Sequence, residues 1–126
     1  LFLRLALIGV ALLFTTPAFA QTATPGDAAR GKIVFLECQG CHAVAPGGPV
    51  LIGPNLQGVY GRAAASGSGY DYSPALKAAG ITWTSAKLDA WLTNPSGLVP
   101  GTKMAFTGIA SPVLRADVIA YLQTLK

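Results

Sequence analysis

Two cysteines and one histidine, Cys38, Cys41 and His42, fall within the five-residue stretch C-Q-G-C-H, and the chain has no other residue of either type. Two thiols three positions apart on one helical turn can reach both vinyl groups of a single porphyrin. The adjoining imidazole then meets the iron from below the same ring. C-x-x-C-H is the attachment signature of a c-type haem. The sole methionine, Met104, lies far along the chain. An iron that takes a nitrogen on one side and a thioether on the other has one candidate for each.

Other chemistries use these residue types. Structural zinc needs about four nitrogen or sulfur ligands, and here a carboxylate would have to be the fourth. A redox dithiol also uses C-x-x-C, but it normally follows a strand in a βαβ unit. The flanks here read as helix before and Gly/Pro-rich loop after. A plain disulfide between Cys38 and Cys41 remains the simplest alternative, and it leaves His42, Met104 and the glycine-rich loops without a purpose.

The elements around these residues must be placed in a compartment. Arg4, the apolar run from Leu5 to Phe14, Pro17 and the small-x-small triplet Ala18-Phe19-Ala20 outline a secretory signal over residues 1–20. The apolar run is too short for a comfortable membrane span, and an uncleaved anchor is the alternative. Thiols outside the cytoplasm persist only when oxidised or covalently occupied, so export and haem attachment support one another. In a bacterium the destination is the periplasm.

Cleavage leaves a linker at 21–26 and one small domain at 27–126. With 15 Gly and 9 Pro in the whole chain, that domain has little core of its own. A buried macrocycle would supply the missing core, and the chain without it is expected to be largely unfolded. The charge is low: Lys and Arg number 9 against 5 Asp and Glu. There is no dense basic stripe of the kind nucleic acid requires.

Six segments carry helical or loop signals. Asp27 is a candidate N-cap for a helix over 28–39, with Gly31, Phe35 and Cys38 on one face. Glycine inside a helix is costly, and a close helix crossing at Gly31 would justify it. Residues 43–70 read as loop, in which Leu51, Ile52, Leu56, Val59 and Tyr60 call for an apolar surface to cover. Ser73-Pro74 opens a short helix to about Ala79. Thr84 or Ser85 caps another to about Thr93, where Asn94-Pro95 stops it. Residues 94–110 read as loop again. Ser111 and Pro112 open a last helix whose inner stripe is Leu114, Val118, Tyr121, Leu122 and Leu125. No strand pattern is convincing.

In order, the motifs are Gly26-Asp27 with Gly31 and Phe35, C-Q-G-C-H at 38–42, G-P-N-L-Q-G-V-Y-G-R at 53–62, Y-D-Y-S at 70–73, G-I-T-W at 80–83, N-P at 94–95, P-G-T-K-M at 100–104 and A-Y-L at 120–122. This set resembles class I c-type cytochromes of the mitochondrial and bacterial cytochrome c2 type over nearly all of residues 26–125. The resemblance implies an all-α cytochrome c fold: small helices and long loops around one covalent haem c, with the terminal helices packed together. It implies thioethers at Cys38 and Cys41 and axial ligands at His42 and Met104. Pro54 matches the proline whose carbonyl accepts a hydrogen bond from the ligand imidazole. Arg62, Tyr72 and Trp83 match residues around a buried propionate, and Thr102 matches the threonine of the methionine loop. Trp91 stands where the family usually has a tyrosine, and Leu76 where many relatives have asparagine.

The expected function is one-electron transfer in the periplasm, without catalysis. The expected partners are a membrane reductase or oxidase, or a periplasmic dehydrogenase. The alternative is the haem-bearing subunit of a periplasmic oxidoreductase complex. A gas-binding haem protein would need Met104 off the iron, and a haem-free dithiol protein would show no haem absorption. Lys32, Lys87 and Lys103 are the only candidates for steering acidic partners, which predicts a weak dependence on salt.

Overall fold

The computed structural model describes residues 16–18 and 24–126. The expected signal at 1–20 and linker at 21–26 therefore lie outside the described residues, except for 16–18 and 24–26. Among the described residues five α-helices follow one another: α1 (Ala28–Val34), α2 (Pro74–Ala78), α3 (Ser85–Thr93), α4 (Pro95–Leu98) and α5 (Pro112–Gln123). Each begins at a side-chain cap. Asp27, Ser73, Thr84, Asn94 and Ser111 each accept a hydrogen bond from the backbone N–H three residues on. Proline fills the start of α2, α4 and α5, where no intrahelical donor is lost.

The first helix is shorter than the expected 28–39. It tightens at Phe35–Glu37 into a 3₁₀ turn, with Cys38 N–H bonding Phe35 O at 2.8 Å. A second correction concerns 94–110. Asn94 stops α3 and at once caps α4, because its side-chain oxygen accepts from Gly97 N. The same Asn-Pro pair ends one helix and starts the next.

The helices meet at α1 and α5. Gly31 is buried, and a Cβ there would run into the Asp117 carbonyl and lie 2.9 Å from the Tyr121 Cβ. Only glycine lets the two backbones come this close. One turn on, the Phe35 and Tyr121 rings sit 5.2 Å apart at 55°. Phe35 and Val118, each 1% exposed, are the most buried apolar side chains of this contact. Asp117 is also enclosed, and it is satisfied. Arg30 grips it with Nε and Nη2, both at 2.9 Å, and Asp27 N–H donates to it at 2.7 Å. On the other flank of α5, Arg115 reaches Asp89 of α3 at 2.8 Å and the Ile109 carbonyl at 2.8 Å.

The inner stripe of α5 differs from the expected one. Leu114 is exposed and Leu125 half-buried, while Arg115, Asp117 and Ile119 join Val118, Tyr121 and Leu122 in the interior. A helix packed on two sides buries more than one stripe. Among the described residues the only strand-like pairing is an antiparallel bridge between Ala63 and Thr82. It is flanked by Gly61 N–H to Trp83 O at 2.8 Å, Trp83 N–H to Arg62 O at 2.9 Å and Ala64 N–H to Ile81 O at 2.7 Å.

Candidate haem site

Cys38 to His42 form one helical turn of backbone. Both Cys41 N–H, at 3.1 Å, and His42 N–H, at 2.9 Å, bond the Cys38 carbonyl. The turn puts Cys38 half-buried against the core, Cys41 at the surface and His42 inside. Burial pushes the Cys38 thiol up from its usual range, helped by the Glu37 carboxylate and by Cys41. Neither sulfur is in a disulfide.

The loop after the motif folds back on it. Gly53 N–H bonds the Cys41 carbonyl at 2.8 Å, and Leu56 N–H bonds the Ala43 carbonyl at 2.9 Å. Gly53 lies flat on the His42 ring, where a Cβ would come within 2.8 Å of Nδ1. Next along, the Pro54 carbonyl lies 2.8 Å from His42 Nδ1. A carbonyl only accepts, so Nδ1 carries the proton and Nε2 keeps a free lone pair. Burial lowers the imidazole pKa, partly offset by this bond, so the ring is neutral at neutral pH. A neutral imidazole fixed by a carbonyl behind it is the form in which histidine binds a metal.

A second group gathers around Arg62. The bridged segments hold Arg62 beside Trp83. A Cβ on Gly67 would lie 3.4 Å from Arg62 Nη2 and would also strike the Tyr72 hydroxyl. The backbone of Gly67 therefore marks where Arg62 and Tyr72 converge. Arg62 Nη1 donates to the Gln57 carbonyl at 3.1 Å, yet Nε is buried with no partner. A buried donor without an acceptor is costly, and an anionic group is its natural complement. Trp91 packs on Trp83, with centroids 5.2 Å apart at 63°. Tyr72, Trp83 and Trp91 are all buried, as is Leu76.

Met104 lies on the loop after α4, half-buried against the core. Thr102 Oγ1 accepts from Met104 N–H at 3.4 Å, an Oγ-to-backbone turn that shapes the loop. Lys103 straps the same loop to the 70–73 segment through the Asp71 carbonyl at 2.6 Å and its carboxylate at 2.9 Å. The structure thus joins His42 to Pro54 and Arg62 to Tyr72 and Trp83, and it puts Met104 beside Thr102. Two surface clefts lie elsewhere, one lined by Asn94 and Phe106, the other by Ile81, Lys87 and Val99. Neither cleft is lined by His42 or Met104.

Sequence reasoning missed the Asp71–Lys103 strap and the Asp117 clamp. The strap had no signal, since its partners are 32 positions apart on loops. The clamp had one: an aspartate a single turn before Tyr121 on the buried face, which must find a cation.

The donor set, the oriented imidazole and the unpartnered guanidinium nitrogen fit a haem with its propionates. The cytochrome c family model matches residues 28–126. The chain is 43% identical over 122 residues to cytochrome c2 of Rhodomicrobium vannielii, covering 97% of this chain and 94% of that protein. It is 43% identical over 119 residues to cytochrome c-554 of Methylosinus trichosporium, covering 91% and 90%. The solved structure of cytochrome cH from Methylobacterium extorquens superposes with a TM-score of 0.75 at 47% identity, over 79% of this chain and 99% of that one. The chain belongs to the cytochrome c family. It has the all-α cytochrome c fold, and its cofactor is one covalent haem c. It is an electron-transfer protein and not an enzyme.

Proposed function

We propose that the chain is a periplasmic one-electron carrier, with haem joined to Cys38 and Cys41 and ligated by His42 and Met104. The observation that supports this most is the His42–Pro54 hydrogen bond at 2.8 Å, which leaves Nε2 free on a neutral, buried ring. A haem held by Cys38, Cys41, His42 and Met104 would supply a one-electron change, and methionine as a ligand would raise its potential. The chain's own residues set the conditions. Gly53 and Pro54 fix the imidazole plane, Lys103 and Thr102 hold the methionine loop, and Arg62, beside Tyr72 and Trp83, offers its buried, unpartnered Nε to negative charge. Rigid ligands keep the site's geometry the same in both oxidation states, which lowers the cost of each electron transfer. Residues 1–20 act as the export signal in this reading, and cleavage follows Ala20.

The test is expression with haem-attachment machinery, followed by mass spectrometry and a reduced-minus-oxidised spectrum. The expected protein starts at Gln21, carries one haem and resists carbon monoxide when reduced. Met104→Ala is expected to lower the potential and admit carbon monoxide. A wild-type protein that binds carbon monoxide at once would overturn the His/Met assignment.

A further inference from the structure

The chain segment around Cys41 carries few charges and several exposed aliphatic residues. From Gly31 to Gly61 the only charged side chains are Lys32 and Glu37, of opposite sign. Within that span Ile33 is 68% exposed, Leu36 59%, Leu51 43% and Ile52 76%. Ile33 and Leu36, three positions apart, share the helical face turned away from Phe35. Leu51 and Ile52 belong to the loop that Gly53 ties to the Cys41 carbonyl at 2.8 Å. The two pairs thus lie on either side of the attachment motif along the chain, and Cys41 within it is exposed. Lys103, the obvious steering cation, is already held by Asp71 at 2.9 Å. Lys77 shares that carboxylate at 3.6 Å.

We infer that this face docks redox partners through an uncharged, apolar contact, so that the partner presents a neutral apolar patch rather than an acidic one. This rests on the haem reading above and names the partner's chemistry. A segment carrying one cation and one anion gives an acidic partner little to steer by, whereas covering four exposed aliphatic side chains rewards an apolar one. Exposed aliphatic residues grouped in this way mark interaction sites.

The face is neutral and apolar, so a second copy of the holoprotein is a suitable probe. In self-exchange one electron passes from the reduced copy to the oxidised copy, no proton moves, and the products are the reactants exchanged. The rate is read by NMR line broadening in mixtures of the two forms. It is expected to change by less than about threefold between low and high salt. Leu51→Lys and Ile52→Lys are each expected to slow it about tenfold at low salt, with recovery as salt is added. Potential and absorption spectrum should stay unchanged. Methyl signals of Ile33, Leu36, Leu51 and Ile52 should shift with protein concentration, whatever the salt.

A steep salt dependence in the wild type, or lysine variants that exchange at the wild-type rate, would overturn the proposal. So would binding to phosphatidylcholine vesicles that competes with self-exchange, which would assign the patch to lipid. Failure of the haem reading would show separately, as a sample without haem absorption.

Discussion

At Asp117 one carboxylate ties both ends of the domain together. Arg30 and the Asp27 N–H hold its pKa below the usual carboxylate range, against the opposing effect of burial. A carboxylate whose folded pKa is depressed stabilises the fold above its unfolded pKa. That stabilisation is lost as pH falls through the lower, folded value. Asp117→Asn is therefore expected to lower stability at neutral pH and to flatten the acid limb of a pH–stability curve followed by circular dichroism. An acid limb as steep as in the wild type would exclude the carboxylate as its source. Arg62 makes the complementary case. Its buried, unpartnered Nε awaits an acceptor, so Arg62→Gln in the holoprotein should lower the reduction potential, because negative charge near the iron would lose its neutralising partner. The candidate site residues stood out in the sequence because they sit in contiguous motifs. Asp117 gave only the hint of a carboxylate on a buried face and Asp71 gave none, because a carboxylate reveals its partner only once the chain has folded.

Among the elements, the α1–α5 crossing holds the fold together, and its tolerance is low. Gly31→Ala would drive a methyl group into the Asp117 carbonyl, at a cost of about 1–3 kcal/mol or more for such overpacking. Phe35→Ala would empty the most enclosed ring site and cost about 3–5 kcal/mol. Denaturant titration of the holoprotein measures both. Helix starts were legible to the residue at Asp27, Ser73 and Ser111, and to within one residue at Thr84, since a capping oxygen is a local signal. Helix ends were less so: α1 tightened at Phe35, where the turn carrying the thiols takes over. The short α4 hid in an Asn-Pro pair that also reads as a stop. The apolar loop residues divided. Val59 went inside, Leu56 half inside, and Leu51, Ile52 and Tyr60 stayed out. Composition alone cannot tell a residue that covers the core from one that awaits a partner.

For the whole molecule, the described domain joins short helices through long loops, so its core is small for its length. The chain with both thiols blocked from haem attachment, Cys38→Ala with Cys41→Ala, is expected to lose its cooperative thermal transition by circular dichroism. A sharp transition in that variant would show that the polypeptide core suffices. The fold's main seam joins residues far apart in sequence, as in the bond from Asp27 N–H to Asp117, 90 positions away. Until the last dozen residues exist, Gly31 has nothing to lie against. A polypeptide cut short before Ser111 thus has no near-native imitation to hide in. Its unfinished state stays open to proteases, so the architecture inspects its own length.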